Sequence, residues 1–278
     1  MEMSLDFIKV NQEKCVKCGA CASVCIGIIG MGENGPQAIR DENLCMSCGQ
    51  CVAVCPREAL DNVKTPLANQ VVKSTKKFDE DVAAEFIRSR RSVRSYQEKP
   101  VPRDEVKKLL DVARMAPSGC NTQGISYHVV DDPNLLHQIS EVVIDWTEKV
   151  LIKTPELSGT KYFDNIEMTI DIYHNTHEDV VLRSAPCLVI AMADKDFATG
   201  RENSYMSLIY TQLFATTLGL GSCFSGLVDG CAASNHEPLL KLLNLPKDKQ
   251  VTGAIFVGYP KYTYKRLVDR DPLQVTWQ

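Results

Sequence analysis

The sequence contains no uninterrupted apolar run approaching the about 18 residues that a membrane helix needs, so no membrane span is expected. It also lacks an excess of positive charge. Its 31 Lys and Arg against 35 Asp and Glu leave a formal net charge of −4, which argues against a broadly basic nucleic-acid binder. The opening Met1-Glu2-Met3-Ser4-Leu5-Asp6 is acidic and carries no signal-peptide pattern, which makes the cytoplasm the expected location. The C-terminal two-thirds holds no internal repeat, no low-complexity tract and no Rossmann fingerprint in strand-to-helix order. Disorder is excluded as the main state, because 44% hydrophobic residues over 278 positions suffice for one large core or two smaller ones.

Cysteine is the residue in surplus, with 12 in the chain. Eight lie between Cys15 and Cys55, while Cys120, Cys187, Cys223 and Cys231 are scattered. A disulfide scaffold would spread them and accompany export, whereas a dense cluster reads as metal ligation. Cys15, Cys18, Cys21 and Cys25 follow a C-x2-C-x2-C-x3-C spacing, and Cys45, Cys48, Cys51 and Cys55 repeat it, followed by Pro56. Zinc uses four cysteines in two separated pairs and fits two such runs poorly. The pattern is that of bacterial ferredoxins, in which the fourth cysteine of each run serves the other cluster. It assigns Cys15, Cys18, Cys21 and Cys55 to one 4Fe–4S cluster, and Cys45, Cys48, Cys51 and Cys25 to a second. Ile26 stands where the first run would carry proline, a small departure. So short a segment has too few large apolar side chains for a sufficient core, and ligation would supply folding energy.

Residues 61–78 are polar, without apolar period, and read as a connector. The expected division is residues 1–64 as a 2[4Fe–4S] ferredoxin-type domain, 65–80 as linker and 81–278 as a second domain. In that domain, patterning predicts helices from Asp79 to about Arg91, from Pro102 through an apolar stripe of Val106, Leu109, Leu110, Ala113 and Ala116, and over 134–150. Strands are expected at Tyr127 to Val130, Cys187 to Ala193 and Val251 to Val257. Tyr205 to Leu218 reads as a long helix, apolar around much of its circumference, hence buried or in a subunit interface. The tail from Leu267 has no packing period and reads as extended.

Three segments carry candidate chemistry. Arg90-Arg91-Ser92-Val93-Arg94-Ser95-Tyr96 gathers guanidinium forks and hydroxyls suited to a phosphate, although a solvated charge run has the same composition. Ala116-Pro117-Ser118-Gly119-Cys120-Asn121-Thr122-Gln123 is either a plain helix-stop loop or a lining for a ring with hydrogen-bonding edges. In Gly219-Leu220-Gly221-Ser222-Cys223-Phe224-Ser225-Gly226 the first glycines read as a helix cap, and Gly226 permits close ligand approach. Cys120 and Cys223 fall in these segments and read as small buried hydrophobes rather than redox groups. His174, His177 and Glu178 form either a polar surface cluster or, less simply, a metal site on one helical side.

Taken in this order, with Ala185-Pro186 and Val257-Gly258-Tyr259-Pro260, the segments resemble the nitroreductase family of FMN-dependent enzymes from about Phe86 to Trp277. The N-terminal part is similar to ferredoxin modules fused to one branch of that family. The resemblance implies an α+β protein. A nitroreductase-like domain, with a central mixed sheet flanked by helices in a domain-swapped dimer, would follow a small ferredoxin-like domain. It implies FMN at the interface of a homodimer. Arg90, Arg91, Ser92 and Arg94 would hold the phosphate and ribityl chain, helped by Arg266 and Arg270. Pro117, Ser118, Gly119 and Asn121 would reach the flavin from the partner. Ser225 and Gly226 would lie beside the ring, with the Gly226 backbone near N5. Gly124-Ile125 and Phe224 depart from the family pattern close to the expected pocket.

The function so implied is an FMN-dependent oxidoreductase fed through two 4Fe–4S clusters from reduced ferredoxin or NAD(P)H. It would pass a hydride from FMN N5 to a nitroaromatic, quinone or related conjugated acceptor, the cofactors carrying the hard chemistry. Two alternatives stay open. One is an electron-transfer or redox-sensing protein acting on a protein partner. The other is reductive dehalogenation or flavin modification on the same fold. The clusters point weakly to an anaerobic setting, and no side chain stands out as the proton donor.

Overall fold

A computed structural model of the chain describes residues 5–154, 156 and 158–278. The chain divides into two compact units, one running to Lys77 and including Cys120–Thr122, the other formed by Phe78–Gly119 and Gln123–Gln278.

The first unit is built from two similar halves. β1 (Ile8–Val10) pairs antiparallel with β4 (Leu60–Asn62), and β2 (Ile29–Gly32) with β3 (Gly35–Ala38). Between the strands lie two single-turn helices, α1 (Ala20–Ser23) and α2 (Gln50–Ala53). Each is entered through a left-handed glycine, Gly19 at φ 76° and Gly49 at φ 71°, a conformation in which a Cβ would be strained. The core is small: Ile29, Val52 and Leu60 pack with the thiols of Cys21 and Cys51. Asp61 and Asn62 are strand residues paired with Lys9 and Ile8, so the polar stretch from 61 opens inside this unit rather than as connector. The Asp61 carboxylate accepts the N–H groups of Asn62 and Leu67, which explains its polarity.

The second unit is a four-stranded sheet with helices on both faces. The strands are β5 (Ser126–Val130), β6 (Cys187–Asp194), β7 (Gly221–Phe224) and β8 (Lys249–Gly258), in spatial order β5-β6-β8-β7. Neighbouring strands run antiparallel, and a parallel bridge between Ser92 and Ser222 makes the sheet mixed at its β7 edge. The helices are α3 (Glu80–Ser89), α4 (Arg103–Ala113), α5 (Pro133–Lys153), α6 (Lys161–Thr176), α7 (Gly200–Thr217), α8 (Gly226–Ala233) and α9 (Glu237–Leu243). Along β6, Leu188, Ile190 and Met192 enter a core shared with α5, α8 and α9. Cys187, Val189 and Ala191 enter a second core against α4 and α7. A strand covered on both faces has no polar side to show, which is why it reads as one continuous apolar run.

Local signals start α3 and end α7 as expected. Asp79 caps α3 through bonds to the N–H groups of Asp81 and Val82. Gly219, at φ 68°, closes α7: Leu220 N–H returns to Ala215 O at 2.9 Å and Gly219 N–H to Thr216 O at 3.3 Å. α4 stops at Ala113, so Ala116 lies beyond its stripe. α6 ends at Thr176, and His177 caps it in the left-handed conformation. His174, His177 and Glu178 therefore do not share a helical face. His174 is instead paired with Glu148. Beyond Pro260 the tail is extended and exposed to Gln278.

Candidate functional site

In the first unit the cysteines separate into two groups by position. Cys15, Cys18, Cys21 and Cys55 line one recess. A Cβ added at Gly35 would stand 3.5 Å from Cys15 Sγ, so the hairpin turn is closed over that recess. On the other side, Asn62 Nδ2 lies 3.8 Å from both Cys45 Sγ and Cys51 Sγ. Burial pushes the Cys21 and Cys51 thiols up. Cys21 also feels Cys55 and Cys18, and Cys51 feels Cys25 and Cys45, so each fourth cysteine sits in the field of the opposite run. Burial acts on Cys55 in the same sense, but backbone N–H groups of Ala59, Arg57, Leu60 and Glu58 outweigh it and hold the thiol down. Soft sulfur donors drawn from both runs, Cys15, Cys18, Cys21 and Cys55 on one side and Cys25 and Cys45 around Cys51 on the other, fit two 4Fe–4S clusters.

The second unit has two clefts associated with α7. The first, ≈ 350 Å³, is lined by Ser89, Arg91, Gln212, Thr216, Ser222 and Tyr264 among others. Arg90 Nη1 donates to Gln212 Oε1 at 3.2 Å. This leaves Gln212 Nε2 buried with no partner among the described residues. Arg91 stacks over the Tyr264 ring at 5.4 Å. Arg94 Nη1 reaches only its own turn, at Ser92 O, 3.4 Å away. Among the described residues none of Arg90, Arg91 and Arg94 pairs with a carboxylate. Arg91 on the cleft wall, Arg90 held against Gln212 and an amide without a partner among the described residues fit a phosphate and a polyol chain, while Arg94 does not line the cleft. Gly221 is required here, since a Cβ would come within 2.5 Å of Val93 Cγ2.

The second cleft, ≈ 310 Å³, is lined by Pro117, Ser118, Gln123, Tyr127, Asn203 and Ser207 among others. The Gly119 N–H donates to Asn203 Oδ1 at 3.3 Å, and Ser118 Oγ accepts the Gln123 N–H at 2.9 Å. The Tyr127 hydroxyl bonds that of Ser207, and burial raises the phenol's pKa. Asn121 does not line this cleft. It belongs with the first unit, where its Nδ2 donates to the Met46 and Ser47 carbonyls at 3.0 Å each.

Asn203 and Gln212 are nine residues apart, which is about 14 Å along α7 and half a turn around it. Between the two clefts, around the helix, runs an exposed apolar stripe of Met206, Ile209 and Tyr210. The buried side of α7 is instead rich in polar groups, namely Asn203, Ser204, Ser207, Thr211 and Gln212. The expected helix is thus mixed: Leu208 and Ala215 are buried beside these polar groups, while Met206, Ile209 and Tyr210 face outward.

Ser225 and Gly226 line neither cleft. Ser225 is 2% exposed, heads α8 without capping it, and its Oγ has no partner among the described residues. A Cβ at the exposed Gly226 would meet nothing within 4 Å, so the backbone there stands open. Phe224 stacks on Tyr205 at 5.1 Å, and the Tyr205 hydroxyl donates to Asp229 at 2.6 Å. Arg201 closes that group with a 2.6 Å bond to the same buried carboxylate. Arg266 and Arg270 lie exposed in the tail, outside both clefts, and the tail contributes Tyr262, Thr263 and Tyr264 instead. Cys223 is buried as expected, while Cys120 is exposed. Gln212, Asn203, Tyr127 and Tyr264 were not anticipated. A run of amides and hydroxyls inside an otherwise buried helix was the available signal for the first two.

The fold and these sites define a ferredoxin-type dicluster unit joined to an α+β unit with a divided cleft. Residues 14–60 match the family described as the 4Fe-4S dicluster domain, and residues 87–259 match the nitroreductase family. The chain belongs to the nitroreductase family, with a 4Fe–4S dicluster domain at its N-terminal side. It is 25% identical over 180 residues to an iodotyrosine deiodinase of Thermotoga neapolitana, spanning 63% of this chain and 87% of that one. It is 24% identical to the NAD(P)H-type FMN reductase of Bacillus subtilis, over 61% of this chain and 62% of that one. A nitroreductase from Bacteroides fragilis, solved with bound FMN, superposes with a TM-score of 0.56 at 22% identity, covering 72% of this chain and 100% of the other. Among the described residues no helix is long and apolar enough to cross a membrane.

Proposed function

We propose that the protein is an FMN-dependent oxidoreductase that receives electrons through two 4Fe–4S clusters and reduces a small conjugated acceptor. The reading is carried by the divided cleft. The arginine turn and the Pro117–Gly119 loop, both expected to meet one flavin, open at opposite ends and opposite sides of α7, with an apolar stripe between them. One chain therefore presents two halves of a site. A second copy laid antiparallel against the stripe of Met206, Ile209 and Tyr210 brings one half of each chain to the other half of its partner, as a two-fold dimer requires.

In this reading Cys15, Cys18, Cys21 and Cys55 hold one cluster, and Cys45, Cys48, Cys51 and Cys25 the other. Arg90, Arg91, Ser92 and Arg94 hold the FMN phosphate, with Arg266 or Arg270 added from the tail. Gln212 supplies its unpartnered amide to the ribityl chain. Pro117, Ser118 and Gly119 of the partner face the ring, while Ser225 and Gly226 approach it on the open backbone at the head of α8. Bound FMN supplies the conversion of single electrons into a two-electron reduction. The side chains named here bind and orient it.

The test is an anoxic absorbance spectrum of the purified protein, recorded before and after NADH, NADPH and reduced ferredoxin. Flavin and iron–sulfur absorbance that bleaches with one of these supports the reading and identifies the donor. Absence of flavin absorbance after reconstitution with FMN overturns it. Reductive removal of halide from an aromatic ring is a second reading, supported by the deiodinase name of the Thermotoga relative. A substrate panel with one nitroaromatic, one quinone and one iodophenol separates the two.

A further inference from the structure

We propose that Asn62 raises the reduction potential of the cluster held by Cys25, Cys45, Cys48 and Cys51 above the value that cluster would have without it. The inference rests on reading the cysteines as two clusters.

Asn62 is 2% exposed, and its Nδ2 stands 3.8 Å from both Cys45 Sγ and Cys51 Sγ. Its orientation is set from the other end of the amide, where Oδ1 accepts the Lys64 N–H at 2.9 Å. With the oxygen held by a backbone donor, the nitrogen faces the sulfurs. Lys64 itself lies on the same side, its Nζ donating to Glu42 O at 2.9 Å and Cys45 O at 3.4 Å. The two cysteine runs are offset by thirty residues, and thirty before Asn62 stands Gly32, which has no side chain to offer the first cluster. A Cβ at Gly32 would also meet the Gln37 side chain at 2.8 Å. The first group receives backbone donors at Cys55, the Ala59 N–H on its Sγ at 3.2 Å among them, and no substitution at position 62 removes these.

Reduction adds one negative charge to a cluster, so an N–H dipole aimed at its sulfurs stabilises the reduced form more than the oxidised one. The amide is buried, and water does not screen it as it screens the exposed Lys64. A one-electron protein donor reduces one cluster. Transfer between clusters then oxidises one by a single electron and reduces the other by the same electron, with no bond made and no proton moved.

The experiment is an EPR-monitored redox titration of the reconstituted holoprotein, comparing wild type with Asn62→Asp and Asn62→Leu. The aspartate keeps the acceptor for Lys64 and loses the N–H, while the leucine loses both. A Cys48→Ser variant identifies the signal of the second cluster. That signal should fall in potential by at least about 59 mV in both variants, a tenfold change in its reduced-to-oxidised ratio. The other signal should stay in place. Unchanged potentials, or a shift in the first cluster alone, overturn the inference. Should neither variant load both clusters, pulsed EPR of reduced wild type labelled with 15N-asparagine decides, because no nitrogen coupling to the second cluster refutes the contact. Wild-type iron and sulfide too low for two clusters would defeat the underlying reading instead, and that result is seen before any variant is made.

Discussion

At the residue scale, the arginine turn is the most direct handle on the cofactor. Arg94 is exposed and bonded only to its own backbone turn, so replacing it removes little that holds the fold together. Loss of one charge-assisted contact costs about 1.5–3 kcal/mol. Arg94→Ala should therefore weaken FMN binding roughly ten- to hundredfold, read by flavin fluorescence during titration of the apoprotein. Unchanged affinity would remove Arg94 from the phosphate site. The buried thiols give a second handle. Burial pushes Cys187 and Cys231 up to about 12 from an ordinary 9.0. Between those values the unfolded thiol has lost its proton and the folded one has not. Their contribution is intact below pH 9 and declines as pH rises toward 12, by about 1.4 kcal/mol per pH unit for each thiol. Cys231→Ala should make urea stability fall less steeply above pH 9. An equal slope would show that the thiol is not held protonated.

At the element scale, α7 is the helix on which the reading turns. Helices of soluble domains place apolar residues inward. α7 keeps Met206, Ile209 and Tyr210 outward at 45%, 38% and 38% exposure, and buries amides and hydroxyls. Such inversion is stable when a second surface covers the stripe and the inward polar groups find partners. α3 has a related exposure, with Val82 and Ile87 open and no residue of the helix buried. Ile209→Glu should convert a dimer into a monomer by light scattering, with loss of FMN in the same step, since each site would lose its partner half. A monomeric variant that retains flavin would show that one chain suffices for binding.

At the scale of the whole molecule, the two units differ in what holds them. The second has two cores, one on each face of its sheet. The first has a single small core that counts Cys21 and Cys51 among its members. In the proposed assignment these sulfurs are both ligands and packing atoms, and ligation would contribute folding free energy that the apolar side chains do not supply. Iron removal under anoxic chelation should unfold the first unit and leave the second folded. Limited proteolysis should then cut throughout the segment before Lys77 and spare the rest. Protection of that segment without iron would contradict the account.

The cysteine spacing alone determined the two-run cluster pattern, because ligand geometry on a short turn leaves few alternatives. Apolar periodicity determined β5, β6 and β8 and the helices α3, α4, α5 and α7, but not α6, α8 or α9, because a covered sheet face needs apolar residues without fixing how many helices supply them. Segment order alone pointed to the family. Only the tertiary structure decided that α4 stops before Ala116, that α6 ends before His177, and that α7 buries amides and hydroxyls beside Leu208 and Ala215. It alone brought Gln212, Asn203, Tyr127 and Tyr264 into the clefts and set Asn62 against Cys45 and Cys51. The physical reason is common to these cases. A local pattern reports which residues avoid water, whereas the partner that satisfies a buried amide or hydroxyl comes from distant parts of the chain and exists only once the chain has folded.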